Sequence, residues 1–443
     1  MNKKLLALLI SASLFGCGGS DDKDEEVVDP IVVNPTPEVT YETGVFIDSA
    51  VAGIGYRTTT PDGEIRDEGV TNENGEYDYV EGDSVTFFIG DLEFPSTTAT
   101  GVVTPLDIAG TDNVTDQKVV NMVRLLQTLD QDGDPENGIT ITETAISAAE
   151  PVDFNVTPDE FAASTAVQAV IENGGQDTAV TELVSESDAV EHLTGSIADN
   201  GVQIGVVGAW DQAEVNTGEH QNDLLTIVFF NNGTYVQFEG DIEAAPGDDE
   251  YAGMEWGTYI RDSETGQISP TQIFDGNDDR GFTDFTGESG APELFGEVND
   301  GVLTLNVDET GNGEIDGNVT FNSLPSDGII GAWKIIDDNG ESDADDLVML
   351  IFYNDGTYVH GEYDADDNAE EHGMEWGNYT IDSDTRRLTT TQIADNNSDT
   401  GLSDFSADST DAELYVSVDG DILTLEVKES GSTEIETVTL ARQ

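Results

Sequence analysis

The feature of this sequence best suited to chemistry is a run of side-chain oxygens directly after an apolar, helix-like segment. Asp130, Asp132, Asp134 and Asn137 stand at nearly alternate positions around Gly133. A hard cation such as Ca²⁺ takes about six to eight oxygen ligands, and one short loop can supply several of them. This spacing therefore predicts a calcium site in the loop that begins at Asp130.

A second acidic pattern occurs twice in the C-terminal part of the chain. Each copy alternates Asp and Asn with other residues and carries a glycine, and oxygen ligands at this spacing also suit Ca²⁺. A polar turn without metal is the alternative in a chain so rich in Asp, and the sequence leaves both open. The possible ligands are Asp275, Asn277, Asp279 and Asp284 in the first copy, and Asp395, Asn397, Asp399 and Asp404 in the second.

These loops resemble known calcium-binding motifs. A helix followed by Asp-x-Asp-Gly-Asp resembles the calcium loops of dockerin and of thrombospondin-type repeats, with Asp130, Asp132 and Asp134 at the ligand positions. The repeated loops resemble the first half of an EF-hand loop, although Gly281 and Gly401 stand one place later than the glycine of that family. The resemblance implies Ca²⁺ as a bound, stabilising ion.

Residues that could support catalysis are few. The sequence has no Gly-x-Ser-x-Gly motif, no phosphate-binding loop and only one cysteine, Cys17, which lies near the N-terminus. We interpret the histidines as surface residues in polar loops, because they include no pair at metal-ligand spacing. They are His192, His220, His360 and His372.

Repeated aromatic residues form the remaining candidate site. Glu255 and Glu375 stand beside two of them, but general acid–base catalysis would need a second placed carboxylate at each position. The tryptophans either fill a barrel core or line a cavity for an apolar molecule or a sugar. They are Trp210, Trp256, Trp333 and Trp376.

The elements that position these residues belong to a duplicated domain. Gly-Ala-Trp, Asn-x-Gly-Thr-Tyr and Gly-Met-Glu-Trp-Gly occur in this order in residues 204–325 and again in residues 327–443. Eight strand-like segments joined by hairpin signals predict an eight-stranded antiparallel barrel or curled sheet, with a β-sandwich as the alternative. In the run 224–230 the residues at odd and at even positions are both mostly apolar. This predicts a strand covered on both faces, with packing between the repeats as one explanation.

A short motif on the first strand of each repeat resembles the lipocalin-like (calycin) superfamily. The matching residues are Gly208 and Trp210 in the first repeat, and Gly331 and Trp333 in the second. The resemblance implies a barrel whose base is closed by the tryptophan and whose interior holds a small apolar ligand.

Residues 42–200 predict a β-sandwich-like module with helices. Short strands broken by Asn74-Gly75 and similar turns resemble the carboxypeptidase-regulatory or transthyretin-like β-sandwich. Apolar residues at helical spacing predict a helix from Val119 to Leu129. A capping box at Thr157 and Glu160 predicts the start of another helix, which we expect to continue to about Glu172.

The N-terminus predicts a lipid anchor. Residues 1–16 form a positively charged start and an apolar segment too short to span a bilayer, as in a signal peptide. Leu14-Phe15-Gly16-Cys17 resembles the lipobox of bacterial lipoproteins, which implies acylation of Cys17. Gly18 favours sorting to the outer membrane. Residues 17–41 are acidic and contain proline, which predicts a lipidated tether.

Charge limits the possible partners of this 443-residue chain. Its formal net charge of −79 makes nucleic acid, anionic lipid surfaces and acidic polymers poor partners, because association would begin from repulsion. We expect a mainly β, non-enzymatic outer-membrane lipoprotein, facing the periplasm or the cell surface, with a binding or adhesion role and stabilised by Ca²⁺. A glycan, a surface protein or an apolar ligand is the expected partner. A carrier of an apolar ligand is the first alternative, and an enzyme acting on a surface polymer is the second.

Overall fold

The computed structural model describes residues 39–212, 224–241, 252–263, 265–277, 281–285, 292–337, 346–365, 372–397, 401–403, 412–429 and 435–443. Cys17 and the predicted signal peptide lie outside the described residues, as does the predicted tether up to residue 38. The predicted metal ligands Asp279, Asp399 and Asp404 also lie outside them, together with the side chain of Asp284.

Short strands make up the sheets of the N-terminal module. They are β1 (Glu42–Phe46), β2 (Val51–Ala52), β3 (Gly55–Thr59), β4 (Ile65–Val70), β5 (Glu76–Tyr79), β6 (Ser84–Ile89), β7 (Leu92–Glu93), β8 (Thr97–Thr98), β9 (Val102–Val103) and β10 (Ile139–Thr140). One sheet has the order β5-β1-β9, a second has β4-β3-β6-β7 with β8 also on β6, and β10 pairs with β2. Burial alternates along β6, so that Val85, Phe87 and Ile89 face the core.

Six α-helices cover this module. They are α1 (Pro105–Ala109), α2 (Gln117–Thr128), α3 (Glu143–Ala148), α4 (Pro158–Ala162), α5 (Thr165–Glu172) and α6 (Glu186–Asp199). Helix α2 is buried on two sides, because Met122 and Leu126 pack on the sheet core while Val119 and Val123 pack against α6.

The prediction of one helix from Thr157 to about Glu172 is wrong at its centre. The capping box of Thr157 and Glu160 is present, but α4 ends at Ala162. Ser164 then takes an extended conformation, with φ −63° and ψ 132°, and begins α5. The Ser164 side chain makes no capping hydrogen bond, so the break rests on its backbone conformation.

The C-terminal part of the chain forms two closed antiparallel barrels of eight strands each, which confirms the predicted mainly β fold. The first contains β11 (Gly208–Gln212), β12 (Leu224–Phe229), β13 (Thr234–Gly240), β14 (Ala252–Arg261), β15 (Gln267–Asp275), β16 (Glu293–Asn299), β17 (Val302–Asp308) and β18 (Gly317–Ser323). The second contains β19 (Gly331–Asp337), β20 (Leu347–Phe352), β21 (Thr357–Tyr363), β22 (Gly373–Ile381), β23 (Arg387–Asp395), β24 (Ala412–Asp419), β25 (Ile422–Glu429) and β26 (Glu436–Arg442).

Each barrel closes by pairing its first strand with its last. Trp210 on β11 lies opposite Ile227 on one side and Ser323 of β18 on the other. The indole N–H of Trp210 donates to the carbonyl of Val206 at 2.8 Å, and Trp333 makes the same bond to Ile329 in the second barrel. The first tryptophan of each repeat is therefore a buried structural residue of the barrel.

The two barrels share one apolar interface. Outward-facing residues of β12–β14 and of β20–β22 form a single buried cluster that includes Trp256 and Trp376. Phe238 and Gly361 occupy equivalent positions in the two repeats, and a methyl group at Gly361 would collide with the Phe238 ring. Contact between equivalent positions gives the interface an approximate two-fold arrangement, as in a symmetric dimer.

This interface explains the apolar run 224–230. Val228 and Phe230 belong to the interface cluster, whereas Ile227 and Phe229 belong to the core inside the first barrel. The prediction of a strand covered on both faces, with the repeats packed together, is confirmed.

Candidate functional site

The candidate site lies in the second barrel where two neighbouring strands, β23 and β24, pair over a short stretch, which we call the seam. β23 and β24 pair at only two positions, where Arg387 lies opposite Tyr415 and Leu388 opposite Leu414. β24 pairs with β25 along its whole length, from Ala412 to Asp419. Beyond Leu388 the two strands of the seam diverge, so their outer side chains border a groove instead of a continuous sheet.

The groove has a volume of about 610 Å³ and lies on the outside of the barrel. Its floor comes from paired strands, since Thr380 of β22 lies opposite Thr389 of β23. A tight turn at one end is fixed by Asp382, whose Oδ1 accepts hydrogen bonds from the Thr385 amide and hydroxyl, both at 2.8 Å. These bonds, the amide first, hold the pKa of Asp382 below its ordinary value.

Besides Asp382, the groove contains two charged groups that are paired with each other, Arg387 and Glu413. Arg387 Nη1 lies 3.5 Å from Glu413 Oε1, and the Tyr415 hydroxyl donates to Glu413 Oε2 at 2.9 Å. This hydrogen bond is the main cause of the raised pKa of Tyr415. The result is a half-buried aromatic ring, two exposed threonine hydroxyls, and a guanidinium and a carboxylate whose charges offset each other.

The first barrel repeats the seam with different side chains along it. Its seam is formed in the same way, with Gln267 opposite Phe295 and Ile268 opposite Leu294. Phe295 and Gln267 replace Tyr415 and Arg387, and Ile260, which is 72% exposed, replaces Thr380. The aromatic position is retained in both copies, and Ser269 keeps the hydroxyl of Thr389, but the hydroxyls of Thr380 and Tyr415 and the guanidinium belong to the second barrel. Sequence reasoning missed this site, because its residues come from three strands and only the Phe/Tyr equivalence marks it.

The loop at Asp130 brings three of its four predicted calcium ligands together. Asp130 Oδ2 and Asp132 Oδ1 accept hydrogen bonds from the same amide, that of Asp134, at 2.9 and 3.0 Å. Asp132 Oδ2 accepts from Asn137 Nδ2 at 3.2 Å. Burial, and then the neighbouring Asp132, raise the pKa of Asp130. Two adjacent carboxylates fit a cation, but among the described residues no group of three or more His, Cys, Asp and Glu side chains is arranged to hold a metal. Calcium here stays a prediction.

We expect Ca²⁺ to raise the melting temperature of the wild-type protein and the Asp132→Asn variant to lose most of that rise. A ligand that binds only the folded state adds about 2.7 kcal/mol when its concentration is 100 times its dissociation constant. Thermal unfolding with CaCl₂ and with EDTA measures the effect. Asp91→Asn, an exposed aspartate of the same module, is the control. Identical curves in calcium and EDTA would reject the site.

In the described part of the repeated acidic loops, the first Asp of each loop accepts a hydrogen bond from within its own loop. Asp275 Oδ1 accepts from the amide of Asn277 at 3.2 Å, and Asp395 and Asn397 do the same at 3.1 Å. Asp275 is exposed, whereas Asn277 is 2% exposed and faces the barrel interior near Glu255. The first Asp of each loop therefore caps a turn and the Asn is buried, and calcium at these loops stays a prediction.

The segment after each loop plugs its barrel, which the sequence did not reveal. Glu255 is buried inside the first barrel, where it accepts hydrogen bonds from the Tyr235 hydroxyl, from the Thr283 amide at 3.1 Å and from the Thr283 hydroxyl at 2.8 Å. Phe282 enters the interior core at this point. A side chain at Gly281 would occupy the space of the Glu255 carboxylate, which explains the glycine.

The second barrel repeats the plug with Glu375, which is fully buried. It accepts from the Tyr358 hydroxyl, from the Ser403 amide at 2.9 Å and from the Ser403 hydroxyl. Leu402 takes the place of Phe282 in the interior core. The glutamates next to the tryptophans are therefore interior anchors of a plug.

Two other sequence-based interpretations need correction. His192 and His360 are not surface residues, because they are 9% and 7% exposed. Burial lowers the pKa of His360 to about 4. Trp210 and Trp333 lie in the barrel cores, as predicted for all four tryptophans in one alternative, but Trp256 and Trp376 lie between the barrels.

The chain matches no known protein-family model, and none of the curated proteins with which it was compared matches it. Within the described part of the chain, helices are too short or too polar to cross a membrane.

Proposed function

We propose that this protein is an outer-membrane lipoprotein whose double barrel has a non-catalytic role and binds a neutral glycan in the outer groove at Tyr415. Lipidation of Cys17 would anchor it, and the acidic segment that follows would hold the barrels away from the membrane. The observation that carries the proposal is the groove itself. It combines an aromatic face, donor and acceptor groups, and no net charge from its Arg387–Glu413 pair.

Chemistry favours a neutral saccharide over other partners. An anionic polymer would be repelled by a net charge of −79. A sugar presents hydroxyls to Thr380, Thr389, Arg387 and Glu413, and an apolar ring face to Tyr415. Ligand sites of this kind combine an apolar wall with a few placed polar groups.

The filled interiors support binding outside the barrels over the carrier alternative. In the first barrel, Trp210, Phe229, Tyr235 and Phe282 meet inside one core, and each of them is at most 3% exposed. The corresponding core of the second barrel includes Trp333, Phe352 and Tyr358. An apolar ligand inside either barrel would have to displace these side chains.

The direct test is the Tyr415→Ala variant. We expect the wild-type protein to bind neutral polysaccharides such as dextran or amylose but not acidic alginate. Loss of the ring should weaken binding by about 10- to 100-fold, as for an aromatic residue that dominates an interface. Calorimetric titration measures the affinity, and Tyr41→Ala, at an exposed tyrosine directly before β1, is the control. Equal binding by Tyr415→Ala and wild type would contradict the proposal.

The anchor is tested separately. Expressed in a bacterial host, the wild-type protein should fractionate with the outer membrane, and Cys17→Ser should appear in the soluble fraction, because one buried acyl chain contributes about 0.8 kcal/mol per methylene group and the acylated cysteine carries several chains. Mass spectrometry of the N-terminal peptide checks the acylation. A Cys17→Ser protein that stays in the membrane would refute the anchor.

A further inference from the structure

A second cleft, in the N-terminal module, contains a serine and a histidine in hydrogen-bond contact. Ser49 Oγ lies 3.2 Å from Nε2 of His192, and Nδ1 of His192 lies 3.0 Å from Oε1 of Glu136. One ring nitrogen of the histidine thus faces the serine and the other faces the carboxylate. This arrangement activates a serine nucleophile. The three residues are far apart in sequence and meet because α6 packs beside the turn that follows β1.

The backbone at Ser49 is strained. Its φ of 57° lies in the left-handed region, which residues with a side chain seldom adopt. The turn is held by the Ile47–Ala50 bridge and by Ile139, whose amide donates to the Ala50 carbonyl at 3.0 Å. Strain of this kind is retained when the surrounding structure fixes it, and it is concentrated at functional sites. Here it directs a half-buried serine into the cleft.

Neighbouring polar groups complete the site. The Ser196 hydroxyl accepts a hydrogen bond from the Ser49 amide at 2.7 Å, which places a second hydroxyl beside Ser49. Asp48 is fully buried, with Oδ1 4.0 Å from His192 Nε2 and a hydrogen bond from Gln127 at 3.2 Å. Burial raises the pKa of Asp48 to about 7.

The cleft around these residues has a volume of about 580 Å³ and an acidic lining. Besides Glu136, the carboxylates of Asp188, Glu191 and Asp199 border it, and no lysine or arginine is among its lining residues. Such a lining attracts a positively charged group and repels an anion. The acidic lining therefore favours a positively charged substrate, and the Ser49–His192–Glu136 hydrogen bonds indicate nucleophilic catalysis by serine.

We propose that this cleft is a hydrolase site in which Ser49 cleaves esters that carry a positive charge. Ser49 Oγ forms a bond to the acyl carbon while its proton passes to Nε2 of His192. The carbon–oxygen bond to the alcohol then breaks, and the alcohol leaves with that proton. Water attacks the acyl-enzyme through the same histidine, releasing the carboxylic acid and restoring Ser49. Glu136 is a positioning residue that orients the imidazole.

The experiment uses the full-length protein with acetylcholine as the cationic ester, p-nitrophenyl acetate as the neutral one, and a fluorophosphonate probe. We expect Ser49 to carry the probe in a tryptic digest, and acetylcholine to be hydrolysed with at least a tenfold higher kcat/KM than p-nitrophenyl acetate. Ser49→Gly should abolish both labelling and turnover, and because glycine accepts φ 57° the variant should stay folded. Ser147→Ala, at an exposed serine of α3, should behave as wild type.

Two results would overturn the proposal. One is labelling or turnover that persists in Ser49→Gly, and the other is a folded wild-type protein that neither reacts with the probe nor hydrolyses either ester. Glu136→Gln tests the positioning role, since it should lower kcat while leaving KM within about twofold. An unchanged kcat in that variant would remove Glu136 from the site. These outcomes are independent of glycan binding by the barrels.

Discussion

Replacing Glu375 with alanine is expected to destabilise the protein by about 3–5 kcal/mol. The change would leave the Tyr358 hydroxyl and the amide and hydroxyl of Ser403 without their acceptor inside the barrel. Each buried donor left without a partner costs about 1–3 kcal/mol. It would also open a cavity under Leu402, which holds the plug in the interior core.

Urea-induced unfolding measures this loss, and Glu255→Ala should reproduce it in the first barrel. Glu436→Ala, at an exposed strand position, should change stability by less than about 0.5 kcal/mol.

Burial raises the pKa of Glu375, so the folded state holds the proton of this carboxyl more tightly than the unfolded state does. Its contribution is therefore present below the ordinary glutamate pKa and is lost as the pH rises through the raised pKa. Glu375→Gln should lack that pH dependence, and a Glu375→Ala protein as stable as wild type would refute the plug.

The second large effect is expected where the two barrels meet. Phe238→Ala should cost about 3–5 kcal/mol, because it empties the space that the ring fills against Gly361. Gly361→Val should cost about 1–3 kcal/mol by overpacking the same contact. In the double variant the valine occupies the space left by the ring, so the combined loss should be smaller than the sum by at least about 1 kcal/mol.

Chemical unfolding of the four proteins gives this coupling energy. Phe229→Ala with Gly361→Val is the matched control, because Phe229 has the same size but lies inside the first barrel. That pair should be additive within about 0.5 kcal/mol. Additivity of Phe238→Ala and Gly361→Val as well would show that the two side chains do not meet.

Sequence patterns predicted the barrels because the signals are local. Hairpin residues such as Asp300 and Gly301 take the positive φ that their types favour, at 51° and 76°. Apolar residues at both parities of 224–230 predicted burial on both faces, which the interface supplies. Such patterns depend on backbone geometry and side-chain alternation, and one sequence is enough to read them.

The plug, the groove at Tyr415 and the cleft at Ser49 could not be predicted in the same way. Glu255 meets Thr283, and Ser49 meets Glu136 and His192, through contacts between segments that are distant in the chain. The residues next to a Glu or His in the sequence do not indicate which distant residues will form hydrogen bonds with it in the fold. The surface interpretation of His192 and His360 was wrong for this reason, since polar neighbours in sequence do not determine burial in the fold.

Hydrogen exchange of the Phe238→Ala variant, measured by mass spectrometry, tests most directly whether the two barrels form one body through their shared interface. The substitution lies in the first barrel, and amide exchange is measured in strands β20 to β22 of the second barrel. We predict that amides of these strands lose protection by at least about tenfold relative to wild type, while Phe238→Ala remains folded. Wild-type protection throughout the second barrel would mean that the repeats are independent domains, and would contradict the account.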